Sequence, residues 1–574
     1  AVVDAVEEAL VQRKHEIDSA CNPAPDAPVP PAAPVVSAAL LAPVAPAAQA
    51  PKGKLFSVNA AAGTGKTFIN EYLLARVRAE EGGVALSVAS TGIAALLMKG
   101  GRTAHSRFKI PVEGLWRGTR CFTKESLTAK LLRKTRLIVW DEFTGSHRLQ
   151  LEAVDRSIRD VLDTDVPFGG IVVVLTGDFR QTLPIVKRGN HAETSATILK
   201  RSKQLWPHVR ELRLIENERC KRLEREGNGD AAAKAKEFGA WLLDIGDGAT
   251  SLRVQEGEDA HHLVKLRSDI VFAPNCKTEK GEPDHNADLE RLIDTVYPTE
   301  EFQRKSKLGS IDADWLRGRA ILTPTNEEVD AGNTRVLKAL PGEPRKLHSA
   351  DTYDAEVDDK IWPIEYLNQL TLSGLPPHEL VLKVGAVVMS LKNVNPREGI
   401  VNGTRMVVVD IKTRVLRCRL LDGKHKGQVR FIFRLRMSST DGGVLPFTLY
   451  RLQFPIRLAY FITINKSQGQ TMDNIGVYLP QPVFAHGQLY VALGRVGDAE
   501  SIRVLVRDDN VHQGRGPKFG LPEGTYTSNV VYPEVLGESK HSVCGCCHGR
   551  GLLQPLPPVA LPSSEYIHYK RRAD

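Results

Sequence analysis

Three sets of residues in this chain have the types and spacing for phosphate chemistry. The first is Gly63-Thr64-Gly65-Lys66-Thr67, a small-residue turn that ends in Lys-Thr. Backbone N–H groups of such a turn close around a polyphosphate at a helix N-terminus, where the dipole favours anions. Lys66 would reach the β- and γ-phosphates while the Thr67 hydroxyl holds Mg²⁺. The second is Asp141-Glu142, adjacent carboxylates after the apolar run Leu137-Ile-Val-Trp140. Asp141 suits orientation of Mg²⁺ through its water shell, and Glu142 suits polarisation of a water that attacks the γ-phosphate. The third combines Gln181, in Gly177-Asp-Phe-Arg-Gln-Thr-Leu-Pro184, with Arg219 and Arg495. Here a γ-phosphate sensor is joined by two cations able to neutralise transition-state charge, Arg495 from across a cleft.

Such groups need a frame. Leu55, Phe56 and Val58 predict a buried strand before the phosphate turn, and Phe68, Ile69, Tyr72, Leu73 and Val77 a helical stripe after it. Ala60 stands where the eight-residue phosphate-loop pattern begins with Gly, which requires a negative φ there. The strand–helix rhythm continues with strands at 84–90, 137–140 and 171–176, a helix start at 91–98, and a helix bearing Leu151, Val154, Ile158 and Val161. This is the pattern of a parallel α/β sheet. A second such sheet is predicted from 320–324, 459–464 and 502–506, with a helix at 487–493. Within it, alternating short strands with Gly turns between 387 and 454 predict a small β-barrel insertion.

Composition sets outer bounds. The chain has 574 residues, 42% hydrophobic and 25% charged, enough for several domains with proper cores. No run of about 18 apolar residues exists, which excludes a spanning helix. The net charge of +9 favours a polyanionic partner. Much of it sits at 412–436, where Lys412, Arg414, Arg417, Arg419, Lys424, Lys426, Arg430, Arg434 and Arg436 face one acid, Asp422. In 430–436, Phe431, Phe433 and Leu435 alternate with Arg430, Ile432, Arg434 and Arg436, which predicts a basic strand face. That face is either a nucleic-acid contact, weakened by charge reversal at Arg430, Arg434 and Arg436, or a solvated edge.

The eight cysteines form no disulfide framework. Cys544-Gly-Cys-Cys-His548 is spaced too tightly for one tetrahedral zinc site without distant ligands. Residues 22–51, nearly all Pro, Ala and Val, predict a disordered linker, although Val2, Val3, Val6, Ala9, Leu10 and Ile17 fit one amphipathic helix. The chain begins at Ala1 without a methionine, which fits a fragment.

Several stretches together resemble the petite-integration-frequency (Pif-type) DNA helicases of superfamily 1. They are the phosphate loop, Ser90-Thr-Gly-Ile-Ala-Ala95, Thr103-Ala-His-Ser-Arg-Phe108, Trp140-Asp-Glu142, the 177–184 loop, Thr463-Ile-Asn-Lys-Ser-Gln-Gly469 and Gly487-Gln-Leu-Tyr-Val-Ala-Leu-Gly-Arg495. Phe168-Gly-Gly170, Leu205-Trp-Pro207, Ser373-Gly-Leu-Pro-Pro-His378, Val401-Asn-Gly-Thr-Arg405 and Gly476-Val-Tyr-Leu-Pro480 look most like the Helitron-transposon branch. The resemblance implies two RecA-like P-loop domains that clamp ATP and Mg²⁺, at 54–222 and at 223–394 with 456–510. It implies a strand-separating wedge at about 108–128 and makes the barrel, 395–455, the inserted accessory domain, with a tail at 511–574 and a disordered segment at 1–53. By motif, Thr91, His105 and Phe108 would touch single-stranded DNA from the first domain, and Thr463, Lys466, Ser467 and Gln468 from the second. Phe108 would offer a stacking face.

The expected activity is ATP-dependent 5′-to-3′ unwinding of forked DNA by a monomeric motor. It would serve genome maintenance, recombination, repair or a transposon, with the nucleus as the expected compartment and the mitochondrion as the alternative. The family's glutamine-bearing adenine clamp is replaced here by the Ala/Pro stretch. Phe143, Glu218 and Gly494 also depart from the family pattern. Two other readings stay open: a DNA-binding relic without turnover, and a P-loop ATPase that acts on protein partners.

Overall fold

Apolar runs such as 137–140 and 172–175 need cover on both faces, and they form the middle of the first sheet of the computed structural model. Its strands are β1 (Leu55–Ala60), β2 (Val84–Ala89), β3 (Arg102–Thr103), β4 (Thr135–Asp141), β5 (Val172–Gly177) and β6 (Val209–Leu214), in the order β3-β2-β4-β5-β1-β6. All pairings are parallel, and β4 and β5 are buried throughout. The register sets Asp141 beside Thr176 and Ala89. The acidic pair thus leaves the sheet at the strand C-termini, where open α/β sheets bind ligands. The structure describes residues 2–21, 54–112, 114–186, 189–256, 259–306, 312–354, 362–372, 374–439, 445–510 and 512–537.

Helix α1 (Val2–Cys21) places Val2, Ala5, Val6, Ala9 and Leu10, at helical spacing, in one core with Phe56 and Val58 of β1. Leu73, Leu74 and Val77 of helix α2 (Lys66–Arg78) join that core. Tyr72 donates to Glu7 at 3.2 Å and Lys14 pairs with Glu80 at 3.1 Å, so the helices are tied on their outer faces too. A disordered segment over all of 1–53 is therefore corrected for these residues; the Pro/Ala linker itself lies outside the described residues.

The second parallel sheet runs Phe461–Thr463, Arg319–Thr323, Asn474–Leu479, Ile502–Val506. The fold is α/β with two RecA-like sheets and added antiparallel sheets. Those antiparallel strands correct the barrel reading. Those in the region of the expected barrel begin at Arg345–His348 rather than near 395, and they form open sheets among the described residues. The largest has five strands from Val387 to Leu458, with Val429–Phe433 at one edge and Ile456–Leu458 at the other. Arg451 holds the neighbouring sheet together. It pairs with Asp351 at 2.6 Å, both fully buried, and donates to the carbonyls of Leu367, Leu370 and Pro376, which satisfies a charge that would otherwise be costly to bury.

The basic strand face is also corrected. Ile432 packs inward opposite Leu416, while Phe431 and Phe433 point outward. Arg430 is held by Gln428 and the Val429 carbonyl, and Arg434 donates to the Thr413 and His348 carbonyls while lying over Phe454. The strand breaks at Arg434, and Leu435–Ser438 pairs in a different sheet.

The C-terminal segment is not simply a tail. Thr525–Ser528 pairs with Asp259–Lys265, and Val535 is buried in the core that holds Phe108 and Trp140, while Lys200 donates to the Val535 and Leu536 carbonyls at 3.0 Å. Between these points Tyr532 N donates to His486, so the segment bridges both lobes.

Phe108 belongs to the interior. It is fully buried and stacks on Trp140 with ring centroids 5.7 Å apart, which corrects its assignment as a base-stacking residue. Phe108→Ala is expected to cost about 3–5 kcal/mol of stability in chemical denaturation. A variant with unchanged stability but weakened strand binding would restore the original assignment.

Candidate functional site

The phosphate turn follows from β1. Ala60 ends that strand and is not among the positive-φ residues, so the missing Gly is accommodated. Gly63 and Gly65 both have φ 83°, a conformation that other residues enter at a cost. A side chain at Gly63 would also meet Asn217 Oδ1 at 2.9 Å. Thr64 Oγ1 donates to the Ala61 carbonyl at 2.8 Å, which closes the turn. Helix α2 then starts at Lys66 with its first-turn N–H groups toward a cavity of about 470 Å³.

Lys66 pairs with Glu142 and lies 3.7 Å from Asp141 Oδ1. Burial alone would lower the lysine pKa, but the two carboxylates outweigh it and raise it. Burial also raises the pKa of Glu142, and the attraction of Lys66 only partly offsets this. Glu142 sits at φ 50°, and its Oε2 is buried without a partner. Asp141 accepts from Thr176 at 2.8 Å, and Asn70 donates to the same hydroxyl at 2.9 Å. Ser90 Oγ lies 2.6 Å from the Glu142 carbonyl and 2.7 Å from Ser146 Oγ, so the start of the next helix braces the acidic pair.

The exposed Thr67 hydroxyl, Asp141 and the unpartnered Glu142 Oε2 form an oxygen donor set suited to Mg²⁺ beside phosphates. Among the described residues no group of three or more His, Cys, Asp or Glu forms a separate metal centre. The Cys544–His548 cluster lies outside the described residues.

Gln181, Arg219 and Arg495 line the same cavity. Arg495 is 5% exposed; its Nε donates to the Val491 carbonyl at 2.8 Å and its Nη1 to that of Gln470 at 3.2 Å. Burial lowers its pKa. Arg219 enters on the helix Glu218–Arg225, which Asn217 caps. Asp178 is buried and accepts from Tyr490 of the second lobe at 2.7 Å.

The strand-contact residues divide. Thr91 is exposed and caps helix α3 (Gly92–Leu97). His105 is half-buried, 3.3 Å from Gln150, and burial lowers its pKa. Lys466 is half-buried, and burial followed by nearby Arg457 pulls its ammonium down to about 8. Three residues are placed otherwise. Thr463 is buried, and Ser467 is fully buried with its hydroxyl on the Ile464 carbonyl. Gln468 faces the other lobe, where it donates to Gln181 at 2.8 Å and accepts from Thr182 at 2.8 Å.

Sequence reasoning missed three members of the site. Phe68, the one aromatic residue lining the cavity, is 77% exposed directly after Thr67, where a nucleobase has a face to meet. Its exposure contradicts its reading as core stripe, and its position one residue past Lys-Thr was the available signal. Thr176 and Asn217 carried none, since both act through contacts distant in sequence.

Residues 38–256 match the family model for PIF1-like helicase, and residues 365–411 match that for the 2B domain of the DNA helicase Pif1. The chain is 28% identical over 478 residues to the ATP-dependent DNA helicase PIF1 of Danio rerio, a match to 80% of this chain. It spans 60% of that protein's length. The Pif1 helicase of Bacteroides, solved with ADP-AlF3 and single-stranded DNA, superposes with a TM-score of 0.52 at 24% identity, covering 79% of this chain and 89% of that one. The Candida albicans Pif1 helicase gives 0.52 at 23%, covering 84% and 94%. These two likenesses concern the fold alone. With its phosphate loop and acidic pair inside the matched segment, the chain is similar to the PIF1-like helicases over residues 38–256.

Proposed function

We propose that this chain is an ATP-driven DNA helicase that moves along a single strand in the 5′-to-3′ direction. One observation carries the reading: the phosphate loop, acidic pair and Gln181 of one lobe share a cavity with Gln470 and Arg495 of the other. A nucleotide held there makes hydrolysis and lobe closure parts of one event.

Lys66 would leave Glu142 for the β- and γ-phosphates, which frees the carboxylate to take the proton of an attacking water. Thr67 and Asp141 would hold Mg²⁺, which neutralises charge on the transferred phosphoryl group. Arg219 and Arg495 would close on the same oxygens. Gln181 would pass the change to Gln468, next to Lys466 on the strand track. Phe68 stands where the missing adenine clamp leaves the base unsupported.

In this reading the first motor domain covers 54–222, with Trp116 (66% exposed) in the wedge near 108–128. The second covers 223–394 and 456–510, with the accessory strands reaching back to Arg345 and the C-terminal segment fastening both. The motor would work as a monomer on forked nuclear DNA, and its motifs are most similar to those of the Helitron branch.

Single-stranded DNA is expected to stimulate ATP hydrolysis strongly, and Lys66→Ala to abolish it, in a phosphate-release assay. Hydrolysis equal with and without DNA would refute the helicase reading, and binding without turnover would leave a relic. A strand-displacement assay with 5′- and 3′-tailed duplexes reads the polarity.

Lys466 adds a pH signature. An ammonium with its pKa lowered to about 8 is charged below that pH and neutral above it. Affinity for single strands should therefore fall between about pH 7 and 9. Lys466→Arg should flatten that profile in fluorescence anisotropy. A wild-type affinity constant across this range would remove Lys466 from the track.

A further inference from the structure

The outward turn of Phe431 and Phe433 leaves an unusual surface. The two rings are 56% and 57% exposed, on the edge strand of the five-stranded sheet. Two positions apart on one strand face, they lie about 7 Å from each other along the strand. Arg417 stands directly across from Phe431 on the neighbouring strand and is itself exposed. Arg414, also exposed, leads into that strand beside the pair Val415–Phe433. Among the described residues neither Arg414 nor Arg417 has an acidic partner within 4.0 Å. Lys412, in the same turn, lies 3.8 Å from Asp410.

Exposed aromatic rings are costly to leave in water, whereas the guanidinium groups beside them are well hydrated there and lose that hydration under an apolar cover. An apolar protein partner would cover the rings but strand the arginines away from solvent without counter-charge. A polyanion with flat, stackable groups satisfies both. Sheets that carry aromatic residues on an open face hold two or three bases of an unpaired strand in this way. The outer backbone edge of Val429–Phe433 is also unpaired within the sheet, so a chain can approach along it.

We propose that this face is a second nucleic-acid site, separate from the motor track. It takes an unpaired polynucleotide by stacking consecutive bases on Phe431 and Phe433, while Arg414 and Arg417 hold the phosphates. Binding at this face does not depend on ATP turnover and is tested apart from it, whereas its role rests on the helicase reading. Its role would be to retain a strand outside the cleft while the motor steps.

The test is equilibrium binding of fluorescent oligo(dT) and oligo(rU), long enough to cover both sites, across a salt series without nucleotide. Phe431→Ser with Phe433→Ser is expected to weaken binding about tenfold or more. Arg414→Glu with Arg417→Glu should reduce the salt slope by more than one unit. ATPase kcat at saturating short DNA should be unchanged in both. A loss on either oligonucleotide supports the site, and the larger loss names the strand it prefers. The proposal is overturned if both double variants bind with wild-type affinity and slope. It is also overturned if the Phe variant only dissociates a wild-type dimer in sedimentation, which would make the face a contact between copies. The arginine pair serves as the readout should the Phe variant fold poorly.

Discussion

Glu142→Gln is expected to lower kcat for ATP hydrolysis by about 10²–10⁴-fold while nucleotide binding persists. The carboxylate is well placed to be a base. It is 7% exposed, burial raises its pKa toward the working range, and one oxygen has no hydrogen-bond partner. Its other oxygen is engaged by Lys66, the group that a bound polyphosphate would draw away. Gln keeps the shape and an acceptor for Lys66, and Asp141 remains 3.7 Å from the ammonium, so the fold should survive. Steady-state hydrolysis together with fluorescent-nucleotide binding separates the two effects. A Gln variant that keeps more than a tenth of wild-type kcat would move the base elsewhere.

Arg495→Lys should lower kcat by about 10³-fold, the lower end of what a transition-state arginine supplies. Charge is retained in this variant, so the loss would measure geometry. The guanidinium is anchored by the Val491 and Gln470 carbonyls through Nε and Nη1, with Nη2 unpartnered among the described residues. A single ammonium has no fork and cannot hold the helix carbonyl and reach a phosphate together. The loss should fall on kcat with KM little changed, because the interaction is made in the transition state. An effect confined to KM would make Arg495 a ground-state contact or a structural brace.

The phosphate turn and the acidic pair are legible in the sequence, and the reasons are local. A phosphate turn announces itself because Gly63 and Gly65 need positive φ and Lys66-Thr67 opens a helix. The acidic pair follows a strand that is buried along its whole length, so its apolar run is unbroken. What escaped is non-local. Gln468 meets Gln181 across 287 positions of sequence, and nothing near either residue signals it. Phe108 has basic and polar neighbours in sequence, but a core of residues distant in sequence, Trp140 among them, buries it.

The strand at 429–433 failed for another reason. Alternation defines two faces and does not say which is inside. Its neighbour decides: Leu416, Cys418 and Leu420 are buried against Arg417 and Arg419 outward or partly so, and pairing Leu416 with Ile432 sends the phenylalanines out. Helix α1 had the right periodicity, but the Pro/Ala stretch after it obscured its docking on the sheet.

Ser90 and Thr91 are consecutive. The Ser90 hydroxyl grips the carbonyl of Glu142, and Thr91 opens the helix assigned to the DNA track. Consecutive Cα atoms are about 3.8 Å apart. A strand held by Thr91, as proposed, would therefore act on the peptide of Glu142 across a single link, with little slack to absorb it. In the proposed function the strand sensor and the trigger of hydrolysis would share one stretch of main chain, so that idling in the absence of DNA would be suppressed without a dedicated regulatory domain.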